Sequence, residues 1–253
     1  MPHTRYQDTV LITGAARRIG RAIALDMAAH GWHVGVHYRR SKEEAARLVE
    51  EICAAGGTAA ALPGNLADIA DVRSLIPRCA EALGAPTCLI NNASEFFLDA
   101  ITSLTPEGWD THLDINLKAP VFLAQSLFLN LPDNVEGNVI NIIDQRVWRL
   151  TPDFFSYTIS KAGLWTATQT LAQAMTPRVR VNAIGPGPVL KSVHQTVEEF
   201  EREKESTLLK RGPTPEEIAA AVRFILDAPS MTGQMIALDA GQHLASGDSA
   251  NQR

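Results

Sequence analysis

Tyr157 and Lys161 stand four positions apart in the segment YTISK, so on a helix the phenol and the ammonium project from one face. A cation beside a phenol favours the phenolate and makes the group a better proton donor or acceptor near neutral pH. Such a pair is common and is more often simply exposed. It gains weight from Asp144, 13 residues before Tyr157 at the end of the apolar run Asn138–Ile143. Strand ends in open α/β sheets face the ligand crevice. An inert helix-cap acid is the lesser alternative for Asp144.

A second cluster is built for phosphate. TGAARRIG (Thr13–Gly20) follows an apolar run and opens a helical stretch. Such a turn aims backbone N–H groups and the positive end of a helix at an anion, with Gly14 and Gly20 permitting close backbone approach. The middle glycine of the dinucleotide pattern is replaced by Arg18, and a tight turn without ligand remains an alternative. The second strand supplies the stronger signal. Where an NAD site places an acid about 20 residues after the glycine loop, this chain has Arg39, Arg40 and Ser41. Guanidinium forks and a hydroxyl bind a ribose phosphate that an acid would repel, and Arg17 adds to the field. The cofactor expected is NADP(H). The competing view is that Arg39 and Arg40 belong to a solvated turn.

These groups need a scaffold, and the patterning supplies one. Strand-like runs at 9–13, 33–38, 58–62, 87–91, 138–143, 179–184 and 235–238 alternate with helical segments. The helices fall at 19–30, with Gly31 as C-cap, from Ser41 onward, at 69–83, from the Thr105-Pro106 cap along 110–131, at 157–175, and from Thr214-Pro215 to 226. Alternation of this kind requires crossovers, hence an α/β fold: a doubly wound, seven-stranded parallel sheet with helices on both faces. Residues 1–245 are expected to form one domain, 191–211 to be an inserted flap and a candidate substrate lid, and 246–253 to be a frayed tail.

Composition narrows the function classes. The 253 residues are 45% hydrophobic and 20% charged, an ordinary globular balance. A net charge of −5 argues against a nucleic-acid partner, and no apolar run has membrane-spanning length. The seven histidines show no metal-ligand spacing, so no metal is expected. Cys53, Cys79 and Cys88 make no CxxC pair and are expected to be reduced, mostly buried thiols of a cytoplasmic protein.

Taken in order, TGAARRIG, NNAS (Asn91–Ser94), Asn116, Asp144, YTISK and NAIGPGP (Asn182–Pro188) resemble the short-chain dehydrogenase/reductase family over essentially the whole chain. The resemblance implies a Rossmann-type fold and hydride transfer between a nicotinamide and a carbon. It implies Tyr157 as acid/base, Lys161 on the nicotinamide ribose, and Asn116 in a water-mediated proton path. It further implies Asn65 and Leu66 flanking the adenine, Asn92, Ala93 and Ser94 over the cofactor, and Ile19, Pro186 and Gly187 along it. Asn116 bonding only a backbone, and Asn65 as a turn residue, remain open. A dimer or tetramer through 110–131 and 157–175 is also implied. Asp239–Leu244 could reach a neighbouring active site or make a plain subunit contact.

Three departures agree with one another: Asp144 for the usual serine, Arg18 for the middle glycine, and NNAS followed by Glu95-Phe96 for NNAG. With HYRRS they resemble the pteridine reductase and dihydromonapterin/dihydrofolate reductase branch. That resemblance implies Arg18 facing phosphates and substrate, and Phe96 stacking on a pterin; plain packing of Phe96 is the alternative. An ionised aspartate only accepts hydrogen bonds and opposes the effect of Lys161, keeping the phenol protonated. That suits reduction of a C=N bond, and Arg18, Ser94, Phe96, Asp144 and Tyr157 are the expected substrate contacts. A carbonyl reductase of the same family, or a non-catalytic NADP-binding sensor, is the alternative.

Overall fold

The computed structural model describes residues 8–245, and among these all seven apolar runs form strands. They are β1 (Thr9–Ile12), β2 (His33–Tyr38), β3 (Thr58–Pro63), β4 (Cys88–Asn91), β5 (Gly137–Ile142), β6 (Val179–Pro186) and β7 (Met235–Leu238). The helices are α1 (Arg18–Ala29), α2 (Lys42–Ala54), α3 (Ile69–Leu83), α4 (Pro106–Leu113), α5 (Ala119–Asn130), α6 (Phe155–Met175), α7 (Val197–Ser206) and α8 (Pro215–Leu226). The strands lie in the order β3-β2-β1-β4-β5-β6-β7, all neighbours parallel. The connection direction reverses between β1 and β4, and a doubly wound sheet opens its ligand crevice at the carboxyl ends there.

Alternation along each strand divides the core in two. Val10, Ile12, Cys88 and Ile90 pack on one face with α1, α2 and α8, while Leu11 and Leu89 pack on the other with α3, α5 and α6. Burial on both faces explains why these runs are almost wholly apolar. Burial pushes the Cys79 thiol up to about 12 and raises Cys88 as well, whereas Cys53 is exposed. No helix among the described residues is long and apolar enough to cross a membrane.

Local signals place most helix ends. Thr105 Oγ1 accepts from Gly108 N at 3.1 Å, and Thr214 with Glu217 forms a reciprocal capping box. Gly31 takes a φ of +85°, the left-handed conformation that ends a helix without steric cost. Other boundaries differ from expectation. Ser41 stands at the N-cap of α2 with its backbone at ψ 58°, away from capping geometry, and makes no cap bond. The stretch 110–131 is not one helix, because a π turn at Asp114–Lys118 separates α4 from α5. Only Val197–Ser206 of the flap is helical, and that helix buries no residue. The expected tail, 246–253, lies outside the described residues.

Candidate active site

The glycine loop is held from three sides. Gly14, at φ +63°, donates its N–H to His37 Nδ1 at 3.0 Å, and Ala15 N donates to His37 O at 2.9 Å. His37 passes the connection on through Nε2 to Gly64 O at 3.1 Å. Burial lowers its pKa to about 4, so Nδ1 remains an acceptor. Thr13 Oγ1 accepts from Asn92 N and Ala93 N at 2.9 and 3.0 Å, and Asn92 Nδ2 donates to Thr13 O at 2.8 Å. No side chain caps α1, leaving its first-turn N–H groups for an anion.

Space here is tight. A Cβ on Gly20 would lie 2.5 Å from Gly14 O and 2.6 Å from Asn92 Nδ2. Gly20→Ala is therefore expected to cost about 1–3 kcal/mol of stability and to weaken cofactor binding, read from thermal melts with and without NADPH.

A cavity of about 720 Å³ runs from this loop to the reactive groups. Its cofactor-side lining includes Arg17, Arg39, Arg40, Ser41 and Leu66. Arg39 pairs with Glu95 at 2.8 Å, and Arg17 lies 3.9 Å from Glu44. Arg18 also lines the cavity, at φ +57°, with its guanidinium donating to Lys191 O and Leu190 O at 2.9 and 3.0 Å. It thereby ties the glycine loop to the start of the flap.

The reactive cluster forms where β5 ends beneath α6. Tyr157 O–H donates to Asp144 Oδ2 at 2.9 Å, and Arg146 N donates to Asp144 Oδ1 at 2.8 Å. Asp144 thus caps a short helical turn and also engages the phenol. Lys161 Nζ donates to Ile142 O at 2.9 Å and stands 5.8 Å from the Tyr157 ring centre. Burial raises the Tyr157 pKa well above the usual value, and the Asp144 charge and hydrogen bond add to that rise. Burial likewise raises Asp144 and lowers Lys161 to about 8. The phenol stays protonated despite the neighbouring ammonium.

Two further expected residues are held by groups of the protein itself. Asn116, fully buried in the π turn, donates to Glu95 O at 3.0 Å and Ser160 Oγ at 3.1 Å. Its Oδ1 accepts from Glu95 N at 2.9 Å and Ser94 Oγ at 3.1 Å. With two donors and two acceptors occupied by protein, its side chain clamps the Glu95 peptide. Asn65 does not line the cavity; its Oδ1 accepts from Ala67 N at 3.3 Å, making it a turn residue beside Leu66. Asn92, Ala93, Ser94, Ile19, Pro186 and Gly187 all line the cavity.

Aromatic and flap residues complete the wall. Phe96 stacks on Phe154, centroids 4.5 Å apart, and meets Tyr157 edge-on at 4.7 Å. Phe154 holds a φ of +57°, uncommon for a non-glycine residue, and the Arg146 guanidinium lies 4.7 Å from its ring centre. Glu203 of α7 accepts from Gln195 Nε2 at 2.8 Å and Gln242 Nε2 at 3.2 Å, joining flap and C-terminal segment. Gln242 thus lines its own chain's cavity. Phe154 had no signal in the sequence, whereas His37 left a trace as a polar residue within an apolar strand. No group of metal-ligating residues occurs among the described residues.

Comparison with known proteins shows what the whole chain is similar to. A family model described as Enoyl-(Acyl carrier protein) reductase matches residues 14–243. The crystal structure of FolM Alternative dihydrofolate reductase 1 from Brucella canis, complexed with NADP, is 47% identical with a TM-score of 0.93, covering 95% of this chain and 96% of that one. The corresponding Brucella suis structure, also with NADP, matches at 47% and 0.93, covering 95% and 98%. A 3-oxoacyl-[acyl-carrier-protein] reductase of Synechocystis is 32% identical over 235 residues, 91% of this chain and 95% of that protein.

Proposed function

The chain belongs to the short-chain dehydrogenase/reductase family, and from that premise we propose that it is an NADPH-dependent reductase of the C=N bonds of a pterin, dihydropterins, dihydrofolate and oxidised biopterin being the candidates. The observation that carries the reading is the buried Tyr157 O–H bonded to Asp144 Oδ2 at 2.9 Å. The FolM proteins from Brucella, similar over nearly the whole chain, support it.

The residues present fit the cofactor. Gly14, Ile19 and Gly20 with the free end of α1 would hold the diphosphate. Arg17, Arg39, Arg40 and Ser41 would hold the ribose phosphate. Leu66, Asn92 and Ala93 would flank the adenosine half, with Lys161, Pro186 and Gly187 beside the nicotinamide half. Bound there, NADPH supplies a hydride for the substrate carbon.

The chain's own part is to hold the ring and deliver the proton. Asp144 accepts from the amino-pyrimidinone edge, which a donor such as serine serves less well. Phe96 offers an aromatic face. Arg18 and Ser94 border the same space. Tyr157 gives its proton to the ring nitrogen as the C=N π bond breaks, and the raised pKa keeps that proton in place at neutral pH.

NADPH oxidation measured with 7,8-dihydrobiopterin, dihydromonapterin and dihydrofolate tests the reading. Turnover of a ketone or a 3-oxoacyl thioester, with none of the pterins reduced, would replace it by carbonyl reduction. The arginine rim has its own test. The half-exposed Arg39–Glu95 pair contributes at most ~1 kcal/mol, too little to keep a doubly charged phosphate away. Arg39→Ala with Arg40→Ala should raise the KM for NADPH about 10–100-fold and leave the KM for NADH nearly unchanged, measured as initial rates with each cofactor.

A further inference from the structure

A second buried polar cluster lies behind the reactive one. Ser156, immediately before Tyr157, is fully buried, as is His112 of α4, and Asp99 is 5% exposed. His112 Nδ1 and Ser156 Oγ are 2.6 Å apart, and Ser156 Oγ makes a very close hydrogen bond to Asp99 Oδ2. Ser156 N also donates to the Asp99 carboxylate, at 3.2 and 3.3 Å, and Phe155 N donates to Asp99 O at 3.2 Å. Serine, histidine and aspartate together suggest a nucleophile at first sight. The order excludes it, since a catalytic histidine bridges serine and acid, whereas here the serine is the middle member.

Proton counting gives the cluster a direction. Ser156 has one hydroxyl proton and the Asp99 carboxylate accepts it, so Ser156 Oγ must accept from His112 Nδ1–H. His112 Nε2 then carries a lone pair, and it has no hydrogen-bond partner among the described residues. Burial holds the imidazole below its usual pKa against the pull of Asp99 and Glu95, consistent with a neutral ring. The ring stacks on Phe97 at 3.9 Å.

What the chain joins is informative. α6 has no capping side chain of its own, because Phe154 stands at its N-cap position in the left-handed conformation. Its first-turn N–H groups are served from the loop that carries Phe96 and Phe97, and that loop is fixed to α4 through His112. Tyr157 is the next residue along. We propose that Asp99, Ser156 and His112 form a positioning chain that sets the N terminus of α6 against the substrate-side loop, and so holds the Tyr157 hydroxyl in place on Asp144. None of the three hydrogen-bonds the Tyr157 hydroxyl, although the His112 ring meets the Tyr157 ring edge-on at 5.8 Å. The kinetic part of this inference rests on Tyr157 acting as proton donor.

The decisive comparison separates the N–H of His112 from its ring. His112→Phe keeps a ring against Phe97 and loses the donor, whereas His112→Asn keeps an N–H close to the Nδ1 position and loses the ring. His112→Phe should lower kcat for dihydropterin reduction about 10–100-fold, since a small misplacement near the chemistry has effects of that size. NADPH affinity, followed by protein fluorescence, should be unchanged, and amide exchange at residues 155–158 should quicken. His112→Asn should stay within about threefold of the original kcat with normal exchange. Ser156→Ala, a smaller disturbance, should reproduce His112→Phe and decides the matter if that variant does not fold. The inference is overturned if His112→Phe behaves as the unaltered protein while His112→Asn fails. It is also overturned if kcat and NADPH affinity fall together in every variant. Absence of pterin turnover in the unaltered protein would sink the proposed function alone, because the exchange measurement needs no substrate.

Discussion

Tyr157→Phe is expected to lower kcat for pterin reduction by about 10²–10⁴-fold, the range for loss of a positioned general acid, while the KM for NADPH stays nearly constant. The ring itself is retained, so its edge contact with Phe96 at 4.7 Å and the path of α6 should survive. Only the hydroxyl is removed, and with it the hydrogen bond to Asp144 Oδ2. Initial rates and a binding titration check both halves of the expectation. A variant that keeps full kcat would show that the proton comes from elsewhere. The pH profile adds a second check. Tyr157 stays protonated across the working range, so it places no falling limb near neutrality. Lys161, lowered by burial to about 8, does titrate there. It is charged below that value and neutral above it, so kcat/KM for reduction should fall as pH rises through about 8.

Asp144→Ser should separate the two chemistries that this fold can host. Removing the carboxylate abolishes the charge and hydrogen bond that help to raise the Tyr157 pKa, so the phenol becomes easier to ionise. Serine also brings a donor where the ring edge of a pterin needs an acceptor. Pterin reduction should drop about 10²-fold, equivalent to about 2.7 kcal/mol of transition-state stabilisation. Reduction of a ketone, whose oxygen welcomes a donor, should hold or improve, and oxidation of an alcohol with NADP⁺ should gain because it needs a base. Parallel rate measurements with a dihydropterin and a ketone read the result. Unchanged pterin turnover would remove Asp144 from substrate recognition and leave it as the cap on the turn at Gln145–Val147.

The two substitutions share one hydrogen bond, so their effects should add only in part. Either change breaks the Tyr157–Asp144 contact, and the double variant should be slower than Tyr157→Phe alone only by the share of the Asp144→Ser loss that comes from the ring edge of the pterin.

What could be read from the amino-acid order was whatever depends on near neighbours in the chain. The seven strands and the helix at Ile69–Leu83 follow from hydrophobic periodicity, a property of a few consecutive residues. The Thr214–Glu217 capping box, the Gly31 terminus and the shared face of Tyr157 and Lys161 are equally local. The place of the arginine pair in the cavity wall was legible because charge and distance from the glycine loop are both visible in sequence. Partner choice was not. Asn116 meets the Glu95 peptide 21 positions away, His37 meets Gly14 across 23, and Ser156 meets Asp99 across 57. Arg18 reaches the flap across 172 and 173. Each pairing is set by how loops from separate strands converge at one end of the sheet, where a buried polar group must find whatever partner the packing brings near. Residue type limits how many bonds such a group can make, and only the folded arrangement says with whom.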